Sequence, residues 1–478
     1  MSRIAGVLVL VLLPVPAGSA EPTPAALKEA VDQVLDRPAF AAAFWAAEIR
    51  SLKTGRVLYE RNAGKNMTPA STMKLVTTAA ALDAFGPDFR IRTTLESAGR
   101  LDAAGRILGD VFLVGRGDPL LSGKGADGRT SFDSFADALV AAGVRRIEGR
   151  LVGHEGLFKD RRAEDWNWSD LVWCYGAEVS ALGWNDNCAT LEVAAGERVG
   201  DPAVVNRSPL SRYYSLVSDA TTSPVGTSSD LKLVRELGTN AIHLSGTQPI
   251  GAASEELEVA LEDPARYATT VLAELLEARG IRVSGGVATS SDPLPAGVRE
   301  LAVHDSPPLA EIINGVNKPS NNLHAEMLLR LLGARVKGEG SLTASLEAVR
   351  DFATRVGAPG LASSLQDGSG LSRTNMLRPH DVVELLLAMS RHAHAVAFRD
   401  SLPIAGVDGT LEHRLRGTAA ERRVQAKTGT LGQTNALAGY ATNQAGDRFV
   451  FSIVLNHSDL EGREGVSAID AVVALLAR

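Results

Sequence analysis

Three short patterns in this chain bring together residues that can perform acyl transfer: Ser71-Thr72-Met73-Lys74, Ser320-Asn321-Asn322 and Lys427-Thr428-Gly429. A serine hydroxyl is a weak nucleophile until a base removes its proton, and lysine is such a base only when neutral. Residues i and i+3 share a helix face, so Lys74 falls one turn beyond Ser71, beneath its hydroxyl. Burial and a nearby cation both lower a lysine pKa, and Lys427 is the candidate cation. Ser320 can relay a proton to a leaving amine, and Asn322 can hydrogen-bond a substrate amide or Lys74. A tetrahedral oxyanion needs two N–H donors; the backbones of Ser71 and Thr430 are the natural pair. Thr428, Gly429 and Thr430 form the substrate-binding run, with Lys427, Thr428 and Thr430 holding a carboxylate. That arrangement predicts cleavage beside a free C-terminus.

Two of the patterns have decoys. S-x-x-K recurs at Ser229-Asp230-Leu231-Lys232 and K-T-G at Lys53-Thr54-Gly55, whereas S-x-N occurs once. Lysine is scarce, 10 of the 49 basic residues, so each lysine inside a motif is informative, but context must choose. Ser71 follows Thr68-Pro69-Ala70 at the start of an apolar helix, where unpaired backbone N–H groups point forward. Leu231, Leu233 and Leu237 are interleaved with charges around Lys232, and Ser229 reads as a polar loop residue. Lys53-Thr54-Gly55 separates two strand candidates and reads as a hairpin turn. Lys427 closes a strand candidate that is followed by glycine and another strand.

The elements that must position these groups come from both ends of the chain. Ala25 to Leu35 reads as a helix, followed by strands Ala43 to Ile49 and Arg56 to Tyr59. The helix from Thr68 to about Phe85 is nearly uncharged beyond Lys74, which predicts burial on all sides. From Thr93 to Val303 the character changes to short strand-like runs (Gly109 to Val114, Arg146 to Val152) among Gly, Asp and Ser turns. Helices are expected there near Phe132 to Ala142 and Pro264 to Arg279. Helical periodicity returns at Leu309 to Val316, Ser320 to Leu332, Leu342 to Val356 and His380 to Ser390. Strands Arg423 to Lys427, Ala436 to Thr442 and Phe449 to Leu455 follow, then an amphipathic helix from Gly465 to Ala477. An early hairpin, a long middle and late strands predict one sheet built from both chain ends.

Bulk properties narrow the function classes. The length of 478 residues predicts several domains. A formal charge of -7 lacks the basic footprint of a nucleic-acid binder. Two cysteines exclude a Cys-rich zinc module or an iron–sulfur protein. The histidines include no H-x-x-x-H pair of the zinc-protease kind. At the N-terminus, Arg3, the apolar run Ile4 to Leu13 and the small residues Ala17 to Ala20 describe a secretory signal cleaved after Ala20. No later stretch is long enough for a membrane anchor. In the oxidising compartment that export implies, Cys174 and Cys188 fit either a disulfide or two buried thiols.

With these residues in hand, the chain resembles the class C, low-molecular-mass penicillin-binding proteins of the D-alanyl-D-alanine carboxypeptidase/endopeptidase type. The trio S-x-x-K, S-x-N and K-T-G is shared with β-lactamases. Its spacing here is not, because 249 positions separate Ser71 from Ser320. Further matches are Gly115-Arg116-Gly117-Asp118-Pro119, Tyr175-Gly176-Ala177 with Ser180-Ala181-Leu182, Asn185-Asp186-Asn187, Asp367 to Arg373 and Leu402 to Gly406. Arg116 departs from the expected Gly, and the Arg-rich segment His413 to Gln425 has no assigned role.

The resemblance implies a multidomain α/β protein. A penicillin-recognising, transpeptidase/β-lactamase-like catalytic domain spans 21–92 and 303–478. Two mainly β domains are inserted in it, one of residues 93–160 and 262–302, the other, 161–261, nested within the first. It implies a periplasmic enzyme that hydrolyses D-Ala-D-Ala ends, and cross-links, of peptidoglycan stem peptides, is acylated at Ser71 by β-lactams and uses no metal or organic cofactor. Asp367 to Arg373 reads as a turn fixing the site wall, and Asp118 as a stabiliser of an inserted loop. Trp166, Trp168, Trp173 and Trp184 read as core or domain interface. His324 and Glu326 read as helix-surface groups or supports of the catalytic residues. Two rivals remain at this level: a serine β-lactamase or esterase on the same fold, and a catalytically silent wall-binding scaffold.

Overall fold

The strand Arg448–Asn456 (RFVFSIVLN) is buried along nearly its whole length, as a central strand covered on both faces must be. It is the middle of a five-stranded antiparallel sheet in the computed structural model, which describes residues 23–123, 130–458 and 463–478. The order across the sheet is 424–431, 434–442, 448–456, 44–51, 57–61. Both chain ends therefore meet in one sheet, with Phe44 opposite Asn456 and Ser51 opposite Phe449. The expected signal segment, residues 1–20, lies outside the described residues.

Side chains alternate across a strand, and here each face has its own helices. Phe449, Phe451, Ile453 and Leu455 pack under helices Pro24–Leu35 and Glu464–Leu476. Val450, Ala438 and Tyr440 turn the other way, into a larger helical layer. That layer holds helices Lys74–Phe85, Leu309–Asn317, Asn322–Val336, Leu342–Arg355 and Pro379–Arg391. Lys74 to Leu82 is buried without a break, as its lack of charge predicted. A short helix, Ala395–Asp400, was not foreseen; at six residues it is too brief to show a helical period.

The middle of the chain forms separate sheets. One has five strands, in the order 287–290, 151–154, 111–114, 92–97, 299–305, covered by helices Asp133–Ala141 and Pro264–Ala278. A small four-stranded sheet lies at 100–108, 146–147 and 282–283. Residues 188–260 supply two more sheets, of three and four strands. The architecture is multidomain α/β, and among the described residues no helix is long and apolar enough to cross a membrane.

Cys174 and Cys188 are joined as a disulfide, their Cα atoms 5.8 Å apart. Of the tryptophans, Trp184 is buried against Phe132, and buried Trp166 donates its indole N–H to Asp367 Oδ2 at 3.0 Å. Trp168 departs from the expected core or domain-interface role, being 75% exposed.

The decoy motifs sit away from this core. Lys53-Thr54-Gly55 is the turn between strands Phe44–Ser51 and Val57–Arg61. Ser229 and Lys232 are exposed, one just before and one within strand Asp230–Arg235, and Ser229 Oγ donates to Glu255 Oε2 at 2.6 Å. Ser229→Ala and Lys53→Ala are expected to keep kcat/KM within about twofold of the wild type, as surface changes remote from a site do. A larger loss in either variant, measured on a D-Ala-D-Ala peptide, would mean the wrong motif had been chosen.

Candidate active site

Ser71 does not open an α-helix directly. It lies in a 3₁₀ turn, Ala70–Met73, and the α-helix begins at Lys74. The tighter turn keeps the i, i+3 relation close to eclipsed, and Lys74 Nζ lies 2.9 Å from Ser71 Oγ. The residues flanking this chemistry are conformationally costly. Ala70 has φ 46° and Ser320 has φ 66°, left-handed values that non-glycine residues adopt only when the surroundings impose them.

Two further atoms receive Lys74 Nζ: Asn322 Oδ1 at 2.6 Å and Ser369 O at 2.8 Å. The Ser369 carbonyl can only accept. Asn322 is also oriented, because its Nδ2 must face the carbonyl of Tyr175, 2.8 Å away, which turns Oδ1 toward the lysine. A neutral amine has two N–H donors and one lone pair. With both donors directed at fixed acceptors, the lone pair is left for the Ser71 hydroxyl proton.

The protonation state suits this. Lys74 is fully buried, and burial lowers its pKa to about 7, while the charges of Asp367 and Glu326 pull it part of the way back up. Lys427 is also fully buried, and its own pKa is pushed well below the ordinary lysine value by burial and then by Lys74. Lys427 Nζ donates to Ser320 Oγ at 2.8 Å and to Thr428 O at 3.0 Å.

The turn at 367–373 forms one wall of the site, as anticipated. Asp367 accepts the N–H groups of Gly370 (2.7 Å) and Ser372 (2.6 Å) and the Asn375 amide (2.7 Å). Glu326 Oε1 accepts the N–H groups of Gly368 and Ser369, each at 2.8 Å. These two carboxylates shape the turn that presents the Ser369 carbonyl to Lys74. A Cβ on Gly370, at φ +83°, would sit 1.9 Å from Ala70 O, so a side chain here would push the nucleophile turn away. Gly370→Ala is expected to cost about 2–4 kcal/mol and most of the activity, read by urea denaturation and peptide assay together. A variant as stable and active as the wild type would show that this approach is not needed.

Lys427 to Thr430 lie on strand Val424–Leu431, the edge of the five-stranded sheet. A Cβ on Gly429 would come within 2.7 Å of Pro69 O and 3.2 Å of Ala70 Cβ; only glycine lets this strand pass so near the Ser71 turn. Ala426 N–H bonds Pro403 O at 3.0 Å, on the side away from the neighbouring strand. Backbone groups alternate in an antiparallel ladder, so the N–H groups of Thr428 and Thr430 point to that same free side. The Thr428 hydroxyl donates to Thr410 Oγ1 at 2.7 Å, and Thr430 is exposed. Ser71, Lys74, Ser320, Asn322 and Lys427 are thus brought together, with Thr428, Gly429 and Thr430 on the adjoining strand edge.

His324 and Glu326 are corrections as surface groups. Both are buried. His324 Nε2 lies 2.6 Å from Asp186 Oδ1, and Glu326 pairs with Arg330 at 3.1 Å. The signal was present in the sequence: two opposite charges four residues apart in an otherwise apolar helical run, LHAEMLLRLL, make an i, i+4 pair. Ser369 and the Tyr175 carbonyl act through backbone atoms, for which side-chain identity gives no cue. Asp118 is buried, which raises its pKa to about 7, and it accepts Leu120 N–H at 2.9 Å, in keeping with a loop-stabilising role.

Comparison with known proteins agrees with this geometry. Residues 27–476 match the model of the D-Ala-D-Ala carboxypeptidase 3 (S13) family. The D-alanyl-D-alanine carboxypeptidase of Actinomadura sp. (strain R39) is 36% identical over 464 residues, covering 94% of this chain and 84% of the relative. D-alanyl-D-alanine carboxypeptidase DacB of Haemophilus influenzae is 28% identical over 430 residues, covering 87% and 86%. The crystal structure of penicillin binding protein 4 (dacB) from Haemophilus influenzae superposes with a TM-score of 0.81 at 25% identity, over 93% of this chain and 98% of that one. The buried lysine under a serine at a strained turn, the strand edge beside it and a family match over almost the whole chain agree, and this protein belongs to the D-Ala-D-Ala carboxypeptidase 3 (S13) family.

Proposed function

We propose that this protein is a serine D-Ala-D-Ala carboxypeptidase of peptidoglycan stem peptides, with Ser71 as nucleophile and Lys74 as its base. The observation that carries this reading is the hydrogen-bond set of Lys74, whose two fixed acceptors leave its lone pair for Ser71. Neutral Lys74 takes the Ser71 proton as Oγ attacks the carbonyl of the penultimate D-Ala. The backbone N–H groups of Ser71 and Thr430 receive the oxyanion. Ser320, hydrogen-bonded to Lys427, relays the proton that Lys74 took from Ser71 to the departing D-Ala amine, which returns Lys74 to its neutral form, and the acyl-enzyme ester is then hydrolysed by water. Thr428, Gly429 and Thr430 line the strand edge along which the substrate extends, with Lys427, Thr428 and Thr430 facing its terminal carboxylate.

β-Lactams, as cyclic analogues of the same amide, would acylate Ser71. Cleavage of D-Ala cross-links, an endopeptidase activity, uses the same step with a larger leaving group. The division into a catalytic domain (21–92, 303–478), an inserted domain (93–160, 262–302) and a nested one (161–261) is supported by the separation of the sheets. Strands Arg92–Ser97 and Arg299–Asp305 overrun those limits by one to three residues. Export to the periplasm, after cleavage of residues 1–20, is supported by the disulfide, which persists in oxidising compartments. The test is release of one D-alanine from an N-acylated tripeptide ending in D-Ala-D-Ala. The same peptide ending in L-Ala should be inert, and equal cleavage of both would remove the assignment.

A further inference from the structure

The Ser320-Asn321-Asn322 corner is gripped by a segment far from it in sequence. Tyr175 O accepts from Asn322 Nδ2 at 2.8 Å. Asp186 Oδ1 accepts from Asn321 Nδ2 at 3.1 Å and lies 2.6 Å from His324 Nε2. Asn321 in turn caps the following helix, its Oδ1 accepting His324 N–H at 3.0 Å. Both anchors flank one crosslink: Tyr175 follows Cys174, Asp186 stands two residues before Cys188, and the two cysteines are bonded.

The anchor at Asp186 is held in a costly shape. Asn185, Asp186 and Asn187 have φ of 49°, 56° and 56°, three left-handed residues in a row. Such a run persists only where its surroundings over-determine it. Buried Asn187 does part of this, accepting Trp184 N–H at 3.1 Å and donating to Glu178 O at 2.8 Å.

We propose that Asp186 and the Tyr175 carbonyl, tied together by the Cys174–Cys188 disulfide, are positioning groups that fix the Asn322 amide and through it the direction of the Lys74 lone pair. This rests on the reading of Ser71 and Lys74 given above. If the Tyr175 carbonyl moves away, no other hydrogen bond among the described residues holds Asn322 Nδ2 and the amide can rotate. Rotated, it presents N–H donors to Lys74. The lysine lone pair then turns to Asn322, and Ser71 faces an N–H donor and keeps its proton. Asp186 acts one residue earlier, by holding Asn321 and the helix start in register.

The test is steady-state kinetics on the D-Ala-D-Ala peptide, with melting temperature recorded for every variant. Asp186→Ala is expected to lower kcat by about 10–100-fold, the cost of a small misplacement of reacting groups, with KM within about twofold. Asp186→Asn keeps an oxygen acceptor and should restore most of kcat. Cys174→Ser with Cys188→Ser should lower kcat in the same way, and adding Asp186→Ala should then cost much less than it does alone, as expected for one coupled unit. A kcat within twofold of the wild type in Asp186→Ala, or equal losses in the Ala and Asn variants that follow a falling melting temperature, would overturn the inference. Ser71→Ala serves as the control. If it stays active, the nucleophile assignment fails; if it is inactive while Asp186→Ala is normal, only the positioning claim fails.

Discussion

Ser71→Ala is expected to remove D-Ala release from the peptide, by roughly 10⁴–10⁶-fold in kcat, with little change in melting temperature. Ser71 is half-buried and its hydroxyl meets Lys74 at 2.9 Å, so the change deletes the attacking atom and opens no large cavity. The lysine amine would still be satisfied by Asn322 Oδ1 and Ser369 O, which is why stability should hold. Residual activity would come only from binding and the oxyanion donors acting on water. A variant retaining a tenth of the wild-type rate would disqualify Ser71.

Lys74→Ala should be nearly as damaging, by about 10³–10⁴-fold, because the loss of a positioned base is compounded by a hole in the hydrogen-bond network. Its pH dependence separates this role from a structural one. Burial lowers the Lys74 pKa to about 7, and the neutral form is the active one. Acylation by the wild type should therefore rise with pH through about 7 and fall about tenfold per unit below it. In Lys74→Ala the residual rate should lose that inflection. A wild-type profile flat from pH 5 to 8 would mean that Lys74 is not the titrating base, whatever the size of the mutant effect.

The sequence and the structure agree most where a short local pattern carries the information. Helix Pro24–Leu35, the hairpin 44–61 and the late strands were legible from period and turn chemistry, and the meeting of both chain ends from their order. The contrast between buried Lys74 and exposed Ser229 and Lys232 was legible too, because the apolar helix behind Ser71 needs burial and the charged run around Lys232 does not. Backbone contributors were hidden. The Ser369 carbonyl owes its place to Glu326 and Asp367, and nothing in the letters Asp-Gly-Ser-Gly says which carbonyl will face a lysine. The 3₁₀ start at Ala70 was hidden for the same reason: it is closely approached by Gly370 and Gly429, residues 300 or more positions away.

Electrostatics was the other blind spot. Two lysines in two motifs suggested that one would act on the other, but the full burial of both and the carboxylates of Asp367 and Glu326 that act on Lys74 are not written in the motifs. His324 and Glu326 show the same gap from the opposite side. Each read either as a helix-surface group or as a support of the catalytic residues, and burial with a specific partner favours the second reading.

The central claim is that Ser71 forms an acyl-enzyme, and intact-protein mass spectrometry after incubation with benzylpenicillin tests it most directly. Followed over hours, the wild type should gain the mass of one penicillin and keep it, with the modified peptide containing Ser71, and Ser71→Ala should gain nothing. Rapid turnover of the antibiotic without a lasting adduct would make the protein a β-lactamase. An adduct that survives in Ser71→Ala, or no adduct and no turnover in the wild type, would contradict the assignment of Ser71 as the nucleophile.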